Sequence, residues 1–99
     1  MFARLHTLVT TAEEYERGFQ IVSEELLPWA RESSGFRGLI GLVDRANEKT
    51  LVLTFWADEE ALEGSAAAGD RMSALAAAAS GAQREALEDF EVSLFEVLP

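Results

Sequence analysis

Leu51-Val-Leu-Thr-Phe-Trp56 carries no charge and no alternation of apolar with polar side chains. A strand with one wet face alternates, so both faces of this segment are expected to be covered. Gly38-Leu-Ile-Gly-Leu-Val43 reads the same way, and Asp44-Arg-Ala-Asn-Glu-Lys49 between the two runs is a polar turn. Together they predict an antiparallel hairpin.

Upstream, Phe2 to Val9 is mostly apolar or β-prone and predicts a strand. Thr11-Ala-Glu-Glu14 has the spacing of a capping box, which starts a helix. Tyr15, Phe19, Val22, Leu26 and Trp29 then form one helical stripe. Pro28 interrupts it, so a kink or restart is expected there. Gly35 suits the left-handed position past the helix end. Downstream, Asp58 is a good N-cap for a second helix, and 12 Ala occur between Ala57 and Ala86. Gly64 and Gly69 weaken that helix, predicting two pieces, and Gly81 offers a stop. Phe90-Glu-Val-Ser-Leu-Phe-Glu-Val97 reads as the last strand.

The order is therefore β-α-β-β-α-β in a single domain, residues 1–99. It is the ferredoxin-like α+β arrangement, a four-stranded antiparallel sheet with both helices on one face. Two helices cover only one face of such a sheet. The cheapest cover for the other is a second copy, so the expected partner is the chain itself, in a homodimer paired through the sheet face.

Composition narrows the chemistry. The chain has no Cys, which removes disulfides, thiol catalysis and Cys-ligated metals. Its 18 acids against 8 bases give a net charge of −10, so neither nucleic acid nor an anionic membrane is expected as a partner. The sequence has no uncharged apolar run of membrane-spanning length and no secretory leader, which predicts a cytoplasmic protein. Phosphate loops, serine-nucleophile motifs and His-metal spacings are missing, and the paired acids suit caps and solvated faces, so no metal is expected.

His6 is the only His. By strand parity it shares a face with Phe2, Arg4 and Leu8. It is the candidate catalytic residue, as a base or hydrogen-bond donor, or else a structural His. Arg4 and Arg37 are candidates to hold an anionic oxygen, with interface ion pairs as the alternative. Trp29 and Trp56 each join a large apolar body to one N–H donor. With Tyr15 and Phe19 they line a pocket or fill the core. The second helix is expected to turn Leu62, Ser65, Gly69, Met72, Leu75 and Ala76 to one side.

Two further stretches, Ser34-Gly-Phe-Arg-Gly38 and Leu53-Thr-Phe-Trp-Ala-Asp-Glu-Glu-Ala-Leu62, together with the element order, resemble the dimeric α+β barrel superfamily, in particular its antibiotic-biosynthesis-monooxygenase-like branch. The resemblance implies two subunits with facing sheets, each holding a pocket between sheet and helices. It also implies a pocket-facing polar residue on the first strand, often Asn, and His6 stands at about that place. Haem-degrading members carry a Trp and a haem-ligating His on the second helix; Asp58 to Pro99 has neither, so haem degradation is not expected and no cofactor is.

The function this suggests is a cofactor-independent monooxygenase acting on a small phenolic or quinol-type aromatic. His6 would be base or donor, Arg4 or Trp56 the anion stabiliser, and Phe19, Trp29, Phe55 and Met72 the walls. The alternatives are a non-catalytic module that binds a small apolar ligand or only dimerises, and a cyclase or isomerase using the same pocket. A filled interior would favour the assembly role.

Overall fold

Phe2–Val9 (β1) ends where Thr11 begins helix α1, Ala12–Ile21. The capping box forms as the spacing predicts. Thr11 Oγ1 accepts from the Glu14 amide at 3.2 Å, and Glu14 Oε1 accepts from the Thr11 amide at 2.8 Å. The computed structural model describes residues 1–98.

The interruption at Pro28 takes the form of a π-helical turn, Val22–Leu26, followed by a restart as α2, Leu27–Glu32. Proline has no N–H and crowds the carbonyl one turn back, so it fits best in the first turn of a helix. The wide turn upstream puts it there: the Leu27 amide reaches back to the Val22 carbonyl, and Pro28 falls in the first turn of α2. Gly35 takes φ +81° as expected.

β2, Phe36–Asp44, and β3, Lys49–Trp56, form the hairpin. Helix α3 then runs unbroken from Glu59 to Ser80, capped by Asp58 and stopped by Gly81 at φ +87°. The expected division at Gly64 and Gly69 does not occur. One Gly costs about 1 kcal/mol relative to Ala, and the surrounding alanines carry the helix through. Gly69 lets α3 lie close to its neighbour, since a Cβ there would lie 3.3 Å from the Trp29 ring and the ring would have to give by a few tenths of an ångström.

The last strand differs from expectation. β4 is Gln83–Glu91, not Phe90–Val97. It lies at the sheet edge and is exposed along its whole length, so its charges stay solvated and no apolar pattern marks it. Beyond it, the Val92 amide still bonds the Met1 carbonyl, and Phe95 packs edge-on against Phe55 with ring centres 5.4 Å apart. The apolar run that suggested a strand instead lays Phe95 on the outer side of the sheet.

The sheet order is β2-β3-β1-β4, antiparallel throughout, with the β-α-β-β-α-β succession the sequence predicts. Register assigns the faces. Phe2, Arg4, His6 and Leu8 share the helix side with their β3 partners Trp56, Thr54, Val52 and Thr50. Ala3, Leu5 and Thr7 share the outer side with Phe55, Leu53 and Leu51. On that outer side Ile40 is 41%, Leu42 48% and Phe90 47% exposed in the single chain.

Candidate functional site

The helix side of the sheet is not filled. Between β1, β3, α1, the π-turn and α3 lies a cavity of about 380 Å³. Its floor includes His6, Leu8, Thr50 and Val52; Tyr15, Phe19 and Val22 wall one side, and Ser73, Ala76 and Ala77 the other. The hollow exists because small residues face one another. A Cβ added at Gly41, in the middle of β2, would meet nothing within 4 Å. Gly18 on α1 faces Ser80 of α3 in the same wall.

His6 is buried at the cavity wall, with Nδ1 3.2 Å from the Ser73 hydroxyl. Three buried serines lie along the inner face of α3. Ser65 and Ser80 turn their hydroxyls back onto their own helix, donating to the Leu62 and Ala77 carbonyls at 3.0 and 3.2 Å. Ser73 alone of the three reaches across to the sheet. The inward stripe is Leu62, Ser65, Ser73, Ala77 and Ser80, whereas the expected member Leu75 is 64% exposed. Alanine and serine give almost no hydropathy contrast, so the phase of this helix was hard to read from sequence. A serine at helical spacing from other inward serines is the signal that could have found Ser73.

Burial is the main cause that lowers the His6 pKa to about 4, with the charges of Arg4 and Arg84 adding to it and Asp70 and Asp89 opposing. Arg4 is itself buried and grips Asp89 through two nitrogens at 2.9 and 3.3 Å. Arg84 pairs with Asp70, which holds that exposed carboxyl below its usual range. Arg84 comes to this side through a bulge. Opposite Thr7 and Leu8 the partners are Ala86 and Arg84, so Glu85 is an extra residue and the facing of β4 inverts there.

Of the residues expected at the site, His6 and Phe19 line the cavity, Phe19 being 61% exposed at its rim. The other five lie elsewhere. Arg4 is committed to Asp89. Phe55 is on the outer face of the sheet, under Phe95. Trp56 is buried against Phe36, its indole N–H donating to Thr54 Oγ1 at 3.0 Å. Trp29 faces a separate polar hollow with Ser33, Ser34 and Asp58. Met72 sits one position off the inward stripe of α3. Arg37 lies at a second bulge and is exposed. Sequence reading missed Ser73, Gly41, Thr10 and Thr50, all of which line the cavity. Among the described residues no group of His, Asp and Glu converges as a metal site, and no helix is long and apolar enough to cross a membrane.

The low pKa of His6 has a measurable consequence for stability. An unfolded chain takes up the proton near pH 6.5, whereas the folded chain resists it until about pH 4. Folding is therefore favoured above pH 6.5 and loses ground as pH falls between these values, by about 3 kcal/mol in total. Urea unfolding of the protein and of His6→Gln across pH 4 to 7 should diverge by that amount at the acid end. Parallel curves would show that His6 is not held neutral.

No family model matches the chain, and no curated protein matches its sequence. Solved structures do. SnoaB, a cofactor-independent oxygenase from Streptomyces nogalater, superposes with a TM-score of 0.72 at 12% identity, over 95% of this chain and 94% of that one. A monooxygenase from the ActVA-Orf6 gene of Streptomyces coelicolor, solved with nanaomycin D, gives 0.70 at 17% identity over 99% and 91%. A MhuD variant with two manganese protoporphyrin IX molecules per active site gives 0.68 at 23% identity over 98% and 99%. One architecture thus holds different chemistries, and function has to be argued from the cavity. The chain shares the ferredoxin-like α+β fold of these solved structures, several of them described as antibiotic biosynthesis monooxygenases.

Proposed function

We propose that the chain is a cofactor-independent monooxygenase that oxidises a small phenolic or quinol-type aromatic in the cavity between sheet and helices. The observation that carries this reading is the hollow with a neutral imidazole on its wall. Interiors pack to crystal density, and an apolar void costs about 24 cal/mol per Å³. At 380 Å³ this hollow is far larger than the packing voids of an ordinary interior, and it opens at a rim where Phe19 is 61% exposed. A chain serving only for assembly gains nothing by keeping it. An apolar hollow with a few convergent polar groups is the usual form of a small-molecule site.

His6 takes the phenolic proton. The gap between a phenol near pKa 10 and an imidazole near 4 amounts to about 8 kcal/mol. The product is a phenolate beside an imidazolium, and at 4 Å such a pair regains about 4 kcal/mol at an effective dielectric of 20. The remaining climb, also about 4 kcal/mol, fits within the 16 kcal/mol barrier of a step running at about 10 per second. Ser73 suits both states of the ring. Its hydroxyl donates to a bare Nδ1 and accepts from a protonated one, so the imidazole keeps its place as it charges. The electron-rich ring carbon of the phenolate, a CH, then bonds to dioxygen, and the peroxide takes the proton back from the His6 imidazolium. Loss of water from the resulting hydroperoxide leaves a carbonyl; written for the keto tautomer, in which that carbon is a CH₂, R₂CH₂ + O₂ gives R₂C=O + H₂O, one oxygen atom entering product and one leaving as water.

The outer sheet face supports a homodimer as the working form. Ile40, Leu42 and Phe90 lie open there, and a second copy with the same exposed side chains is the partner that covers them.

Three outcomes are expected. An oxygen electrode should register consumption with hydroquinones or anthrone-like phenols, and His6→Ala should slow it roughly 10²- to 10⁴-fold. No consumption above background across that panel sinks the oxygenase reading, and a change under about twofold returns His6 to a structural role. Gly41→Phe, whose ring would enter the cavity, should abolish turnover while leaving the melting temperature the same or higher; full activity would put the substrate elsewhere. Light scattering at micromolar concentration should give twice the 10.8 kDa chain mass, and a single-chain particle would overturn the dimer.

A further inference from the structure

Besides His6 and Ser73, a second pair of polar side chains lines the cavity. About 7 Å along β1 from His6, by strand rise, lies Leu8, and its partner across the ladder is Thr50. Thr10 continues β1, its amide donating to the Glu48 carbonyl at 2.7 Å. The Thr10 and Thr50 hydroxyls meet at 2.7 Å, and both residues are buried and line the cavity. Such a pair contains two O–H bonds and consumes one. Among the described residues, the second O–H has no protein acceptor.

We propose that the Thr10–Thr50 hydroxyl pair is a second ligand anchor, so that the cavity takes an elongated, flat molecule with its phenol at His6 and a neutral acceptor oxygen at the far end. This rests on the phenol-oxidising reading and narrows its substrate class. The spare donor calls for an acceptor. Glu14 decides which kind: its carboxylate lines the same end of the cavity and is held there by the capping box, so a ligand carboxylate or phenolate would meet a like charge. A carbonyl or ether oxygen meets none. The walls between the anchors suit a fused ring system lying flat, with Leu8 and Val52 below and Ala76 and Ala77 alongside.

Binding of 2-naphthol and of 6-acetyl-2-naphthol, followed by calorimetry under nitrogen, tests this without any turnover. Both carry the phenol; only the second carries a carbonyl at the opposite end. The intact protein should prefer the acetyl compound about two- to tenfold, the range expected for one net hydrogen bond. Thr50→Val, close in shape and equally β-branched, should erase the preference and leave 2-naphthol affinity unchanged. Thr50→Ser, which restores the hydroxyl, should keep it, and His6→Ala should weaken both ligands alike. Equal affinity of the intact protein for the two compounds, or a preference that survives Thr50→Val, overturns the second anchor while the phenol site stands. Failure of both compounds to bind overturns the phenol site and this inference with it.

Discussion

Small side chains facing one another across the sheet–helix interface are the constraint from which the rest follows. Gly18, Ala76, Ala77 and Ser80 lie above the strands, and Gly41 lies among them, so helices and sheet come together without filling the space between. At its middle α3 comes close to the first helical arm through Gly69, which lies against Trp29. Alanine supplies helix propensity without volume. The same composition that keeps α3 continuous for 22 residues therefore also keeps its inner face shallow.

A shallow face has a second effect. It lets a hydroxyl on the helix reach a ring on the strand, as Ser73 reaches His6. It also leaves the imidazole in a poorly solvated setting with two guanidinium groups nearby. Packing and acid–base character are thus one property here. A bulkier α3 would fill the hollow and would also displace the partner that orients the ring.

Much of the fold was legible because it rests on local rules. The Thr11 capping box, the restart at Pro28, the left-handed Gly35 and Gly81, and the β2–β3 hairpin all follow from side chains acting within a few residues of themselves. β4 was misread because edge strands obey a different rule: Arg84, Glu85, Glu88 and Asp89 are acceptable in a strand only because water reaches them. The site was half legible. Strand parity placed His6 and its face correctly, but the aromatic residues drew attention by size. Phe55 and Trp56 are neighbours in sequence and so lie on opposite faces, and neither borders the hollow. What defines a cavity is the volume that side chains leave vacant, and glycine and alanine announce that only once their neighbours in space are known.

The extra residue in β4 shows how register can matter more than residue identity. Arg84 and Asp89 differ in parity and would occupy opposite faces of a regular strand, yet both reach the helix side because Glu85 is inserted between their ladders. Excising Glu85 would only straighten the strand and leave Arg84 opposite Leu8. Were the bulge ironed out with Glu85 retained, Glu85 would take the place opposite Leu8 and Arg84 would turn to the outer side, away from Asp70. The field around the imidazole would then lose one cation without any change to the residues that line the hollow. Homologues with the same β4 residues but a regular ladder at this point would therefore be expected to hold the ring at a different proton affinity, even where their cavity walls are identical.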